Sequence, residues 1–457
     1  MNTLNVDLEL IEKHDVAGPR YTSYPPATQF TDKLLIPELL AKIGENNVVA
    51  RDLSLYFHLP FCRSLCWYCG CTTVITTQQS QSATYVRYLE KELGLMALLL
   101  NQKSKVVQLH FGGGTPTFLT PDEIRQLGRM IRSRFNVDAN VEAGVEIDPR
   151  HVTRDHLTAL REIGFNRVSI GVQDHNLLVQ KAVHRIQPFA LTKMVVDWIR
   201  KAGFISLNVD LIYGLPYQTP VSFHKTLDEA LLLRPDRLAV FNYAHVPWMK
   251  PAQKILIEAA LPSPRTKLEL LKLTVQKLTS AGYVYIGMDH FARTDDELAL
   301  AQREKKLQRN FQGYSTRGGA DIYAFGMSSI SQVDGFYWQN LKDLAAYYAA
   351  LDEQRLPVAK GYILNEDDRI RRQTIMRLMC DLELDYAAMS RLLGLDFENC
   401  FARELDSLDD LEADGLLLKT PQGLIVTDLG RLLIRNIAMR FDAYAPMRNQ
   451  NRFSKTI

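Results

Sequence analysis

Three places in this chain read as a helix end, a glycine, an aromatic residue and then a strand: Ile163-Gly164-Phe165, Ala202-Gly203-Phe204 and Ala281-Gly282-Tyr283. Glycine just past a last helical turn adopts the left-handed conformation cheaply, so each triplet marks a helix handing over to a strand. The first two glycines lie 39 residues apart and the third 79 further on, close to two more units of that length. A βα unit repeated at this interval demands a parallel sheet with outer helices. Strand-like runs fit the scheme at Leu53–Leu59, Val106–Phe111, Val141–Ile147, Arg167–Val172, Leu207–Ile212 and Arg237–Asn242, with a weaker seventh at Val284–Met288. The α/β class follows, as a partial, TIM-like (β/α)6 barrel; an open doubly wound sheet is the competing arrangement.

Three segments are expected. Residues 1–50 begin with a short helical pattern from Asp7 to Asp15, then Gly18-Pro19-Arg20-Tyr21-Thr22-Ser23-Tyr24-Pro25-Pro26, which cannot continue a helix. This strap either packs two tyrosines on the domain beneath or offers Arg20, Tyr21 and Tyr24 to an acidic aromatic ligand. Residues 51–360 hold the barrel. Within them a helix near Ala83–Leu100 carries Tyr85, Leu89, Leu93 and Met96 on one face, and Thr120-Pro121-Asp122-Glu123 opens another with a capping box. The stretches 289–298 and 309–314 are expected as loops over the barrel mouth. Residues 361–457 form a mostly helical domain with helices at Ile370–Leu382, Tyr386–Leu393 and Cys400–Asp414, then a hairpin, a winged-helix outline. Its net charge between Glu366 and Arg440 is −5, wrong for phosphate contact, so it reads as a cap rather than a DNA-binding unit.

Barrel chemistry sits on the loops at the C-terminal ends of the strands. Here those ends carry a cysteine loop, Gly112-Gly113-Gly114, Glu146, Gln173 and Asp210. The cysteine loop is Cys62-Arg63-Ser64-Leu65-Cys66-Trp67-Tyr68-Cys69, three thiols at C-x3-C-x2-C. An iron–sulfur cube normally takes four protein thiolates, so three on one loop leave an iron open to something else. Zinc is the alternative, but structural zinc favours two separated cysteine pairs, and no second pair follows. A redox or structural role is the third possibility. Cys71 is too close to Cys69 to share one ion comfortably, while Cys380 and Cys400 read as inert buried thiols. In such a site a glycine backbone admits main-chain groups close to a ligand amine, and Glu146 has the acceptor geometry for two ribose hydroxyls. Tyr56 and Tyr68 flank the loop.

At 457 residues, 46% hydrophobic and 23% charged, the chain suits a globular protein of two or more domains. A net charge of +2 with mixed signs recommends neither nucleic acid nor an anionic membrane. The chain has no run of eighteen apolar residues and no secretory leader pattern, so a reducing cytoplasm is expected.

The C-x3-C-x2-C loop after a strand, with Gly-Gly-Gly-Thr-Pro ending the next, resembles the radical S-adenosylmethionine (radical SAM) enzymes. Along nearly its whole length the chain is similar to the oxygen-independent coproporphyrinogen III oxidase family. The residues carrying this are Gly18 to Pro25, Cys69-Gly70-Cys71, Gly171-Val172-Gln173-Asp174, Asp210 to Pro216, Gly287 to Ala292 and Asn310 to Tyr314. The resemblance implies one [4Fe–4S] cluster on Cys62, Cys66 and Cys69, with Cys71 a non-ligand, and two S-adenosylmethionine molecules. The first maps to Tyr56, Gly113, Glu146 and the backbone near Ile330. The second maps to Tyr68, Gly114, Thr115, Gln173, Arg185, Asp210 and Ala244. The implied reaction turns two propionates of coproporphyrinogen III into vinyl groups through a 5′-deoxyadenosyl radical, giving protoporphyrinogen IX. An external electron donor, a monomer, and no nucleic-acid or membrane partner are expected. The rivals are a haem-binding chaperone on the same core and a zinc-bearing winged-helix DNA-binding protein.

Overall fold

The computed structural model describes residues 6–445. Its centre is six strands, all parallel and neighbouring in chain order: β1 (Asp52–Leu59), β2 (Lys105–Gly113), β3 (Asn136–Ile147), β4 (Arg167–Gln173), β5 (Ser206–Tyr213) and β6 (Arg237–Asn242). These are the six runs read from the sequence. Side chains from five adjacent strands (Gln108, Glu142, Ser169, Asp210 and Phe241) line one cavity of 230 Å³. On a flat sheet five strands span about 19 Å, so the sheet curls into the expected partial barrel.

The seventh unit is not a barrel strand. β7 (Tyr283–Gly287) turns through Met288 and Asp289 into β8 (His290–Arg293), which pairs antiparallel with β6. Gly287 and Met288 both have positive φ, so the chain reverses at once and leaves no room for a crossover helix. The stretches expected as loops therefore hold regular structure: β8, then β9 (Gln308–Asn310) and β10 (Gly313–Ser315), a small separate hairpin. On the opposite edge β11 (Asp321–Phe325) pairs parallel with β1. It is extended by β12 (Ile330–Val333), β13 (Phe336–Asn340) and β14 (Val358–Ile363), all antiparallel. The main sheet among the described residues thus has twelve strands, with three smaller sheets beside it.

Local signals act as anticipated in the helices. The helix Ser80–Ala97 buries Tyr85, Leu89, Leu93 and Met96, and Thr120 caps Pro121–Arg134 with Glu123 completing the box. A helix at Ile36–Asn46, with Pro37 in its first turn, lies in a region the sequence left without an assignment. In the C-terminal region the helices Glu366–Asp381 and Tyr386–Leu393 and the hairpin Leu417–Thr420 with Gly423–Val426 form as expected. The single helix expected over Cys400–Asp414 is instead three short ones, Phe397–Cys400, Ala402–Asp406 and Asp409–Ala413, broken where Phe401 and Leu408 turn inward to be buried. Cys380 is buried as expected; Cys400 is exposed, which corrects its reading as a core thiol.

The Gly18–Pro26 strap is wedged inside the molecule. Tyr21 and Tyr24 are fully buried. Tyr21 donates to Asp442 at 2.7 Å, and Tyr24 accepts from the Ala443 N–H at 3.0 Å. Arg435 donates to the carbonyls of Gly18 and Pro19, and Tyr337 to that of Tyr24. Arg20 pairs with Asp289 beside the barrel.

One buried carboxylate ties the outer helix layer to the turn after β11. Glu92 accepts from the Gly326 N–H at 2.7 Å, from Tyr347 at 2.6 Å and from Asn340 at 2.6 Å. Beside it Tyr85 donates to the His58 carbonyl at 2.8 Å and accepts from the Met327 N–H at 2.9 Å. Burial outweighs these donors and pushes the Glu92 carboxyl up to about 7 from 4.5. The folded state then holds more protons than the unfolded one between those values, so its stability falls as pH rises through that window, by about 3 kcal/mol in all. Glu92→Gln does not titrate. The stability difference between wild type and this variant is therefore expected to shift against wild type from pH 5 to pH 8 in urea unfolding; a flat difference rejects the assignment.

Candidate active site

The cysteine loop leaves β1 and is fastened from several sides. Phe61–Cys62 pairs in parallel with Val74–Ile75, and the N–H groups of Gly114 and Thr115 donate to the carbonyls of Leu59 and Phe61, both at 2.9 Å. A Cβ on Gly114 would run into the Pro60 carbonyl, so the close approach of the two segments needs glycine. From the far side the Trp67 N–H donates to Val183 O at 3.1 Å, and the His184 ring meets Leu65 O at 2.9 Å. The three sulfurs meet different partners. Cys62 lies 3.4 Å from the Thr115 hydroxyl, Cys66 lies 3.6 Å from guanidinium nitrogens of both Arg150 and Arg185, and Cys69 faces the Cys71 thiol. Burial pushes the Cys62 thiol up to about 11, whereas the Cys71 hydrogen bond brings Cys69 down to about 6.

Among the described residues no group of three His, Cys, Asp or Glu side chains is arranged to hold a single metal ion. Three thiols on one loop, backed by two guanidiniums, instead suit a larger anionic centre made with thiolates, which is the chemistry of an iron–sulfur cluster.

Beside the loop lies a cavity of 260 Å³ lined by Tyr56, His58, His110, Glu146, Phe311 and Ile330. Glu146, at the end of β3, accepts from the Gly113 N–H at 3.2 Å and meets His110 Nε2 at 3.3 Å. Burial opposes its charge, but the His110 and Gly113 bonds outweigh that and hold the carboxyl below its ordinary range. Its side chain is 45% exposed, so it faces the cavity with free acceptor capacity. A Cβ on Gly112 would stand 2.9 Å from its Oε1. The His110 ring stacks on Tyr56 at 5.9 Å between centroids. Tyr56 in turn meets His58 at 3.2 Å, and His58 Nε2 meets Thr72 O at 2.9 Å. Phe311 and Gln312 reach this wall from the β9–β10 hairpin.

The remaining candidates come from β4, β5 and the segments after them, and Asp210 lines one cavity with Glu146 and His110. Arg185 donates to Gly171 O at 2.6 Å and to Asp148 at 3.1 Å. Gln173 has φ 68°, and its buried side-chain oxygen lacks a hydrogen-bond partner, leaving an acceptor for a ligand. Asp210 accepts from Ser169 at 2.9 Å and Asn208 at 2.7 Å, and burial pushes it up to about 6; a cationic ligand group beside it would restore its charge. Gln253 joins the carbonyls of Tyr68 (3.1 Å) and Ala244 (3.3 Å), with Ala244 exposed.

Sequence reasoning passed over His58, His110, Asp148, Arg150 and Gln253. The two histidines were detectable, since His58 shares a strand face with Tyr56 by the two-residue period. Asp148 and Arg150 follow directly on the end of β3, where a charged pair is itself a signal.

Residues 56–230 match the Radical SAM superfamily, and residues 364–433 match the HemN C-terminal domain. Oxygen-independent coproporphyrinogen III oxidases are similar to the whole chain. That of Synechocystis is 47% identical, covering 100% of this chain and 99% of the relative. That of Pseudomonas aeruginosa is 45% identical over 100% of both, and that of Escherichia coli is 46% identical over 99% and 98%. The chain belongs to the oxygen-independent coproporphyrinogen III oxidase family. A solved structure described as coproporphyrinogen III oxidase (HemN) from Escherichia coli, a radical SAM enzyme, superimposes with a TM-score of 0.92 at 45% identity, covering 97% of this chain and 100% of that one. As a member of this oxidase family the chain is a radical SAM enzyme, with a [4Fe–4S] cluster and S-adenosylmethionine as its cofactors. Membership sets aside the zinc-bearing DNA-binding reading. No helix among the described residues is long and apolar enough to cross a membrane.

Proposed function

We propose that this enzyme oxidatively decarboxylates two propionate side chains of coproporphyrinogen III to vinyl groups, giving protoporphyrinogen IX. The observation that carries this is likeness to the family's oxidases over the full chain, strap and C-terminal region included. Bound together, a [4Fe–4S] cluster and S-adenosylmethionine supply one-electron reductive cleavage and a 5′-deoxyadenosyl radical that abstracts hydrogen. Each propionate gives a hydrogen atom from its β-carbon to that radical, which becomes 5′-deoxyadenosine; the substrate radical then loses CO2 and passes one electron to an external one-electron acceptor as the vinyl double bond closes.

The chain's residues bind, orient and shield. Cys62, Cys66 and Cys69 ligate the cluster, and the Cys62 proton leaves as metal binds, because a thiolate is the ligand. Glu146 takes the ribose hydroxyls of the first S-adenosylmethionine, with Tyr56, Gly113 and the Ile330 backbone around it. Tyr68, Gly114, Thr115, Gln173, Arg185, Asp210 and Ala244 hold a second molecule. The unpartnered Gln173 oxygen supports that assignment. Phe311 and the β9–β10 hairpin cover the cavity and keep water from it. Cations near the mouth, Arg20 among them, hold substrate carboxylates in bidentate fashion. The protein works as a cytoplasmic monomer with an external electron donor. Residues 1–50, 51–360 and 361–457 act as strap, barrel and cap.

Anaerobically reconstituted protein given coproporphyrinogen III, S-adenosylmethionine and a reductant is expected to form protoporphyrinogen IX with 5′-deoxyadenosine released alongside. Stable haem binding with no vinyl product would favour the chaperone reading instead.

A further inference from the structure

Among the three cysteines of the loop, Cys66 alone has formal charges within hydrogen-bonding reach of its sulfur among the described residues. Arg150 Nη2 and Arg185 Nη1 each lie 3.6 Å from it, and both guanidiniums share one oxygen of Asp148, at 2.6 Å and 3.1 Å. The side chains of Arg150, Arg185 and Asp148 are 13%, 8% and 8% exposed. Burial opposes the charge on all three. Two cations against one anion leave a positive charge beside this one sulfur, where low dielectric screens it weakly.

The two arginines are held differently. Arg185 also donates to Gly171 O, which ties it to the strand wall on the Gln173 side. Arg150 donates only to Asp148 and Cys66 among the described residues. Its backbone N–H and its Nε both reach Asp148 Oδ1 at 3.0 Å, so the carboxylate fixes the guanidinium in one orientation, with Nη2 toward the sulfur. Asp148 and Arg150 are two residues apart, directly after β3, so this clamp is built into one short turn.

We propose that Arg150, oriented by Asp148, is a positioning residue that donates to the Cys66 sulfur and makes the iron–sulfur centre easier to reduce. It rests on the reading of Cys66 as a ligand. Adding an electron to such a centre adds negative charge. Hydrogen bonds to its sulfurs and nearby positive charge favour the reduced form and raise the potential.

The test is a redox titration of the anaerobically reconstituted full chain followed by electron paramagnetic resonance, with iron and sulfide counted. Arg150→Met is expected to keep its iron while its reduction equilibrium falls about tenfold, a midpoint lower by about 59 mV for one electron. Arg150→Lys, which keeps the charge, recovers more than half of that shift. An iron-replete Arg150→Met protein at the wild-type midpoint overturns the proposal. Should that variant lose its centre, Arg150→Gln decides: an iron-replete protein of this variant at the wild-type midpoint overturns it as well. A wild-type protein that holds no iron–sulfur centre defeats the ligand reading itself, a result distinct from either of these.

Discussion

Cys66→Ser is expected to yield a folded chain that holds no stable [4Fe–4S] cluster and turns over at least about 1,000-fold more slowly, ~4 kcal/mol on the barrier. A serine hydroxyl does not ionise near neutrality and is a poor partner for iron, so one of three attachment points disappears. Folding survives, because the loop is held by backbone bonds such as Trp67 N–H to Val183 O rather than by the thiol. Iron and sulfide content, visible absorbance and 5′-deoxyadenosine yield read the outcome together. The same loss is expected at Cys62 and Cys69. Cys71→Ser, altering the exposed fourth thiol, is expected to keep its cluster. A Cys66→Ser protein with wild-type iron and activity would defeat the assignment of the three thiols.

Glu146→Ala separates cofactor binding from cluster assembly. The carboxylate is preorganised by Gly113 N–H and His110, half-open to the cavity, and held in its charged form. Two hydroxyl donors on a charged acceptor contribute ~3 kcal/mol together, so the affinity for S-adenosylmethionine is expected to fall about 100-fold. Iron content stays at the wild-type level, since no cysteine touches this side chain. Equilibrium dialysis of the anaerobic protein measures the change, and an unaltered Kd removes the ribose role.

The parallel core was legible because alternate residues of each strand are apolar and buried, and each glycine–aromatic junction announces where a helix gives way to a strand. The edges were not. β11 to β14 and the β7–β8 hairpin pair with neighbours distant in sequence or reverse at a tight turn, and no period of 39 residues reaches them. Phe401 and Leu408 show a second limit: their apolar spacing suits one helix, yet the chain breaks at both and buries both. At the site, strand-end residues such as Glu146 and Asp210 stood out by position alone. Glu92 did not, because a glutamate within an amphipathic helix reads as solvent-facing. Only the fold brings Gly326, Asn340 and Tyr347 to it. Asp148 and Arg150 are intermediate, visible as a charged pair but without a target until the loop after β1 brings Cys66 to them.

The tyrosine-bearing strap has a consequence for how the chain is made. Its anchors, Arg435, Asp442 and Ala443, lie 416 to 421 residues further along the chain, so the strap must wait, unfastened, until they have been made. Contacts of such sequence separation form late. Removing the segment from Arg435 to Ala443 would therefore unfasten the strap as well, exposing the rings of Tyr21 and Tyr24.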